Sequence, residues 1–243
     1  MESISYQRLR SKIEYIGQNL QVFDASLKSL SEKLKSEKDT NKHITDVLNL
    51  NKSSYNKLNQ PLKEKDRLVS YSRSKMAEYS ILELFGAFTI YMRDITEEMY
   101  IKDPMRIVGK VSSGSTMTYV EIIKLGNFDK IREIIVDEIF RKFENERSTI
   151  KLIDKLLSHT KVQIPESLKE MSLMYLEMRH LFIHNKGKAD ERFKNKYSEH
   201  VSLKAGNKLP TNFKTVTEAI DTVNRFAKSI DEQLIAEDTL QTN

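Results

Sequence analysis

The chain reads as an all-α protein, and three observations predict it. Its apolar residues recur at steps of three and four along most segments, the period of a helix face and not the alternation of a half-buried strand. Glycine and proline are scarce, seven and four in 243 residues, so little breaks those segments. Charged residues make up 31% of the chain against 39% hydrophobic, the balance of helices with one wet face. A chain of this length can bury a sizeable core as one large or two small domains.

The first segment carries Leu9, Ile13, Ile16, Leu20, Phe23, Leu27, Leu30 and Leu34, in alternating steps of four and three. That heptad pattern predicts a long amphipathic helix, packed either on its own domain or as a coiled coil between chains. Polar residues around Asp39 to Asn41 interrupt it, and a second helix is expected over Lys42 to Leu58 through Ile44, Val47, Leu48 and Leu50. Asn59-Gln60-Pro61 reads as a connector, because the residue before proline disfavours the helical region. This divides the chain into an N-terminal helical extension, 1–60, and a main helical domain, 61–243.

From Glu64 to Met99 one long helix is expected, apolar at Leu68, Tyr71, Met76, Tyr79, Leu82, Phe85, Phe88, Ile95 and Met99. Those aromatics follow helical spacing, which assigns them to the core and not to a platform for bases. Asp103-Pro104 ends the helix, Val111 to Thr118 reads as a loop, and another helix is expected over Asp129 to Leu157. Pro165 opens the next, at a position where a missing amide costs nothing. Its stop is expected at Asn185-Lys186-Gly187, since Asn and Gly tolerate a left-handed backbone. The stretch from Val201 to Pro210 reads as a small hairpin or loop. A final amphipathic helix carries Val216, Ile220, Val223, Phe226, Ile230 and Leu234.

Composition also excludes chemistry. The absence of cysteine removes disulfides, thiol catalysis and thiolate metal sites. No apolar run approaches the length of a membrane span, and Met1-Glu2-Ser3-Ile4 does not begin a basic-then-apolar leader, so a cytoplasmic protein without membrane contact is expected. Forty basic against 35 acidic side chains give a net charge of +5, a mild bias toward polyanions. No glycine-rich phosphate loop appears, and no cofactor is expected.

The most informative run is Arg179-His180-Leu181-Phe182-Ile183-His184-Asn185-Lys186-Gly187. It places a permanent cation and groups that titrate near neutrality where a helix runs out, the minimum kit for cleaving a phosphodiester without a metal. His184 suits the general acid or base, and its helix-terminal position favours the charged form. Arg179 suits the non-bridging oxygens as charge develops on phosphorus. His180 and Asn185 are supporting candidates that orient His184 or hold the phosphate. Lys186, Lys188 and Arg192, with Lys194 and Lys196, offer an approach surface for RNA backbone; Asp190, Glu191 and Glu199 interleave with them, so a merely solvated face reads equally well. Five residues turn a helix by about 140°, so Arg179 and His184 diverge within one chain. Two antiparallel copies about a two-fold axis would bring both pairs into one cleft. His180 and His184 have a metal-ligand spacing, but no acid lies between them in the zinc-hydrolase manner, and no metal is expected.

This run, continuing through Ala189-Asp190-Glu191-Arg192-Phe193, resembles the signature of the HEPN superfamily, in particular its RiboL-PSP-type group. The resemblance extends to Tyr79 through Phe85, to Leu125-Gly126-Asn127-Phe128-Asp129, to the Leu203 to Leu209 segment and to the closing helix, over roughly residues 64 to 235. It implies an HEPN-like antiparallel helical bundle, here carrying the long N-terminal heptad helix. It also implies a dimeric, metal-independent endoribonuclease with a site built from both protomers and a cyclic phosphate left on the product. Arg179 and His184 match the family's catalytic pair and His180 its variable polar position. Many members are toxins or anti-phage effectors, so an antitoxin or sensor protein is a further expected partner beside RNA and a second copy. Where toxins with nucleotidyltransferase antitoxins often carry a tyrosine two residues after the histidine, Lys186 stands.

Two other readings compete. One is a non-catalytic helical module that binds RNA or a protein; the other is a coiled-coil adaptor in which the heptad helix does the work. Nothing in the sequence encodes base readout, so no RNA class is singled out.

Overall fold

In a computed structural model, residues 1–102, 117–131, 133–135, 137, 153–154, 157–158, 160–201 and 204–240 are described, and their regular elements are all helical. Helix α1, Ile4–Ser36, starts at Ser3, whose hydroxyl accepts from the Tyr6 amide at 3.0 Å and satisfies one of the free N–H groups of the first turn. Its buried face follows the heptad at Leu9, Ile13, Ile16, Leu20, Leu27 and Leu34. Asp24 is also buried there, held by Lys28 at 2.7 Å and Arg73 at 3.4 Å. The stripe packs within the chain. Tyr6 to Leu20 enter the main core, while Leu34 joins Ile44 and Leu62 in a smaller cluster.

Helix α2 is only Ile44–Val47, shorter than the stretch to Leu58 expected from the pattern. Asn49 takes a left-handed φ of 54°, and the Asn51 side chain accepts from the amides of Ser53 (2.9 Å) and Ser54 (3.1 Å). Local bonds of this kind offer the backbone an alternative to helix. A single 3₁₀ turn, Asn56–Leu58, follows.

Helix α3, Lys65–Lys102, turns Val69, Ala77, Ile81, Leu84, Phe88, Tyr91, Met92, Ile95 and Met99 inward. Tyr71 and Tyr79, which spacing put on the apolar face, are 63% and 58% exposed. Helix α4, Tyr119–Leu125, is closed by a Thr118–Glu121 capping box and by Gly126 at φ 60°. The loop expected over Val111 to Thr118 and the helix expected over Asp129 to Leu157 lie largely outside the described residues.

Helices α5 (Glu166–His184), α6 (Glu191–Lys196) and α7 (Phe213–Ala236) complete the fold. Helices α1, α3, α5 and α7 enclose one core, in which Ala219, Val223, Phe226, Ala227 and Ile230 of α7 are fully buried. Phe226 stacks on Phe88 with centroids 5.8 Å apart. No helix among the described residues is long and apolar enough to cross a membrane.

One polar tie spans this core. Asp231 of α7 is fully buried; its carboxylate accepts from the Ser3 amide at 3.0 Å and from the Ser3 hydroxyl. Burial raises the Asp231 pKa from its ordinary value, although the Ser3 bonds pull it down. The native state therefore holds this proton more tightly than the unfolded chain. Its contribution to stability is largest below the unfolded pKa and declines as pH rises through the folded one. Denaturant titrations from pH 4 to 7 should show wild type losing stability with rising pH relative to Asp231→Asn. A pH-independent difference between the two would refute the assignment.

Candidate functional site

The site lies at the C-terminal end of α5. The inward face of that helix, Leu173, Met174, Leu176, Met178, Leu181 and Phe182, is buried in the core and fixes its rotation. That rotation leaves Arg179 half-buried and His180, Ile183 and His184 exposed. The helix stops because the Leu181 carbonyl accepts from both the Asn185 and the Gly187 amides, each at 2.9 Å. Lys186 and Gly187 carry the left-handed turn, with φ 54° and 72°, whereas Asn185 stays at −119°. A Cβ at Gly187 would stand 3.2 Å from the Phe182 ring on an unfavourable backbone, so glycine is required there.

The chain beyond is braced rather than loose. Asn185 donates its side-chain amide to the Lys188 carbonyl at 2.7 Å, which places it as a brace of the loop. Ala189 and Leu209 donate to the carbonyls of Asn207 (2.9 Å) and Gly187 (2.8 Å), and Lys188 bridges antiparallel to Lys208. The pairing joins the segment just past α5 to residues 206–209 and is not a hairpin within Val201 to Pro210 as the sequence suggested; Ser202 and Leu203 lie outside the described residues. Asp190 then caps α6 by accepting from the Phe193 amide at 2.7 Å.

Arg179 lays its guanidinium over the Phe85 ring of α3, 4.7 Å from the centroid. It makes no ion pair among the described residues. Glu177, the acid nearest in sequence, is engaged elsewhere: the Tyr197 hydroxyl donates to it at 2.8 Å and Lys196 lies 3.7 Å away. An aromatic face orients a guanidinium by cation–π attraction without neutralising it, so its N–H fork stays open to an anion. Sequence reasoning counted Phe85 as core and missed this role, because only the tertiary approach of α3 to α5 creates it.

The rings of His180 and His184 lie against each other, with centroids 4.7 Å apart and planes tilted by 44°. The His180 pKa is lowered, first by partial burial and then by His184, with Arg179 and Arg192 acting the same way and Asp190 opposing. These five groups therefore share one electrostatic neighbourhood, in which the neutral form of His180 is favoured. Among the described residues no hydrogen bond joins Arg179 to His184. One side chain rests on α3 and the other on its histidine neighbour, as their angular separation on the helix requires.

Of the basic run, Lys186, Lys188 and Arg192 are exposed and make no ion pair among the described residues. Lys194 pairs with Glu191 at 3.4 Å, and Lys196 with Glu177. His200 is apart from the site, on Glu170 at 3.1 Å. Among the described residues no three His, Asp or Glu side chains gather as a metal centre would need. Comparisons with family models, with curated proteins and with solved structures find no match to this chain.

Proposed function

We propose that the protein is a metal-independent endoribonuclease of the HEPN type. It cleaves RNA by attack of a ribose 2′-hydroxyl on the adjacent phosphorus, at a site shared between two copies. The observation that carries the reading is an arginine held on an aromatic face with no acid paired to it among the described residues, beside two exposed histidines whose rings are in contact. One imidazole removes the 2′-hydroxyl proton as the oxygen bonds to phosphorus. An imidazolium delivers a proton to the departing 5′-oxygen, and Arg179 holds the non-bridging oxygens. The products are a 2′,3′-cyclic phosphate and a free 5′-hydroxyl. His184 is the exchanging group, and the ring of His180 hydrogen-bonds to it or to the substrate.

Since Arg179 and His184 diverge within one chain, a second copy completes the set, and the exposed Ile183 between the histidines offers an apolar contact at the two-fold axis. Lys186, Lys188 and Arg192 attract RNA backbone. A role as a cytoplasmic toxin or anti-phage effector, restrained by an antitoxin or sensor protein, is part of the same proposal.

The direct test incubates purified protein with total RNA, with and without EDTA, and maps the ends. Cleavage is expected to survive EDTA and to leave cyclic phosphates with 5′-hydroxyls. Activity that vanishes with the chelator and returns with magnesium, or that leaves 5′-phosphates, would rule the mechanism out. Salt-sensitive RNA binding without any product would favour the non-catalytic module instead.

A further inference from the structure

The net charge of +5 is unevenly placed. Residues 186–208 hold seven basic and three acidic side chains, so four of the five net positive charges fall in this one stretch. The fold then takes its acids away from the α5 tip. The Asp190 carboxylate accepts from the Phe193 amide, and Glu191 pairs with Lys194. Glu199 adjoins His200, which sits on Glu170, about 21 Å back along the α5 axis from His184. Lys186, Lys188, Arg192, Lys204 and Lys208 remain, all exposed and none ion-paired among the described residues. Lys204 and Lys208 come from well past α6 and join this group only through the fold.

The bridge between Lys188 and Lys208 sets their geometry. The Ala189 amide donates to the Asn207 carbonyl and the Leu209 amide to the Gly187 carbonyl, so the bonds flank the bridged pair instead of joining it. A pair of this kind is the closer of the two antiparallel types, with Cα atoms about 4.5 Å apart and both side chains on one face. The neighbouring Ala189 and Leu209 are buried, so the lysine face is the outer one. Two ammonium stems therefore leave side by side into solvent. Like charges directly opposed on paired strands are destabilising, and an anion held between them reverses that sign. The ribbon is also tied to α5, by the Gly187 amide on Leu181 and by the Asn185 side chain on the Lys188 carbonyl. Four residues of chain keep Lys188 within about 14 Å of His184.

We propose that Lys188 and Lys208 form a two-pronged clamp for a backbone phosphate of RNA, flanked by Lys186 and Lys204, which holds the strand beside the linkage being cut. The inference rests on RNA as the substrate proposed above and names where its backbone is anchored. The clamp reads phosphate charge and no base, so it serves any sequence.

The test measures binding of fluorescein-labelled oligouridylate by anisotropy across a salt series, in the full chain carrying His184→Ala so that the probe stays intact. Lys188→Ala and Lys208→Ala should each weaken binding by about two- to fivefold, the range of an exposed ion pair. Each should also reduce the slope of log affinity against log salt by about 0.7. Lys161→Ala is the control, since Lys161 precedes the opposite end of α5, about 28 Å from the tip, and should change neither quantity. Lys208→Glu sets an opposite charge across from Lys188, so the free protein should melt no lower than wild type while its RNA affinity falls further than in Lys208→Ala. With His184 restored, Lys208→Ala should raise KM and leave kcat unchanged. Unaltered affinity and salt slope in the two alanine variants, or an equal loss in Lys161→Ala, would overturn the clamp and leave the cleavage reading standing. A Lys208→Glu protein that melts below wild type would overturn it too, because the two lysines would not then oppose each other. RNA that is bound, weakened as expected and never cut by wild type would remove the cleavage reading and keep the clamp; no binding at all would remove both.

Discussion

His184→Ala lowers the RNA cleavage rate by two to four orders of magnitude and leaves the melting temperature unchanged; this is the outcome expected if the α5 tip carries the chemistry. The range is that of removing one positioned proton-transfer group. The unchanged stability follows from position, since His184 is exposed and its one described contact is the His180 ring. Arg179→Ala should cost as much in rate and somewhat more in stability, because the side chain is half-buried against Phe85. Arg179→Lys should not rescue activity, since an ammonium has no planar fork for two phosphate oxygens. Phe85→Leu separates positioning from chemistry. It keeps an apolar side chain under the guanidinium but removes the π face, so turnover should fall less than in Arg179→Ala. Both catalytic substitutions should also abolish toxicity in cells. Undiminished cleavage by the His184→Ala protein is the result that removes the mechanism, whatever else remains true of the fold.

Phe226→Ala should destabilise the protein by about 3–5 kcal/mol, the usual cost of deleting a fully enclosed phenyl ring. Its ring stacks on Phe88, and both lie where α3 and α7 meet at the centre of the core. A typical domain holds about 5–15 kcal/mol in reserve, so this one change consumes a large share of it. A chemical denaturation midpoint well below wild type is expected, and Ile230→Val at a neighbouring enclosed position should cost only about 0.5–1.5 kcal/mol. A loss under about 1 kcal/mol for Phe226→Ala would mean that the ring is not enclosed as described.

Where one helix face decides the structure, the sequence was readable. The α1 heptad, the α7 stripe and the end of α5 all appear where spacing and glycine position put them, because burial of a periodic face and a left-handed stop are local events. The losses came from distant or competing partners. Asp24 is buried inside an apolar stripe where Lys28, one turn on, is joined by Arg73 of the distant α3. The expected second helix fails after Val47, where the Asn51 side chain captures the amides of Ser53 and Ser54. Lys186, not Asn185, adopts the left-handed conformation, since the Asn185 amide is taken by the Lys188 carbonyl. In the candidate site the sequence singled out Arg179, His180 and His184 as neighbours, but the Phe85 platform and the engagement of Glu177 by Tyr197 were not legible. Both depend on pairs far apart along the chain.

The clasp between Ser3 and Asp231 also sets an order of events during synthesis. Ser3, which caps α1, finds its carboxylate partner 228 residues later in α7, so both must be synthesised before this side of the core can close. At about 5–20 residues per second, the side of α1 destined for α7 waits roughly ten to forty seconds after it is made. Over that interval a nascent chain shows oily surface to chaperones and to neighbouring polysomes, and the core closes only once α7 has left the ribosome.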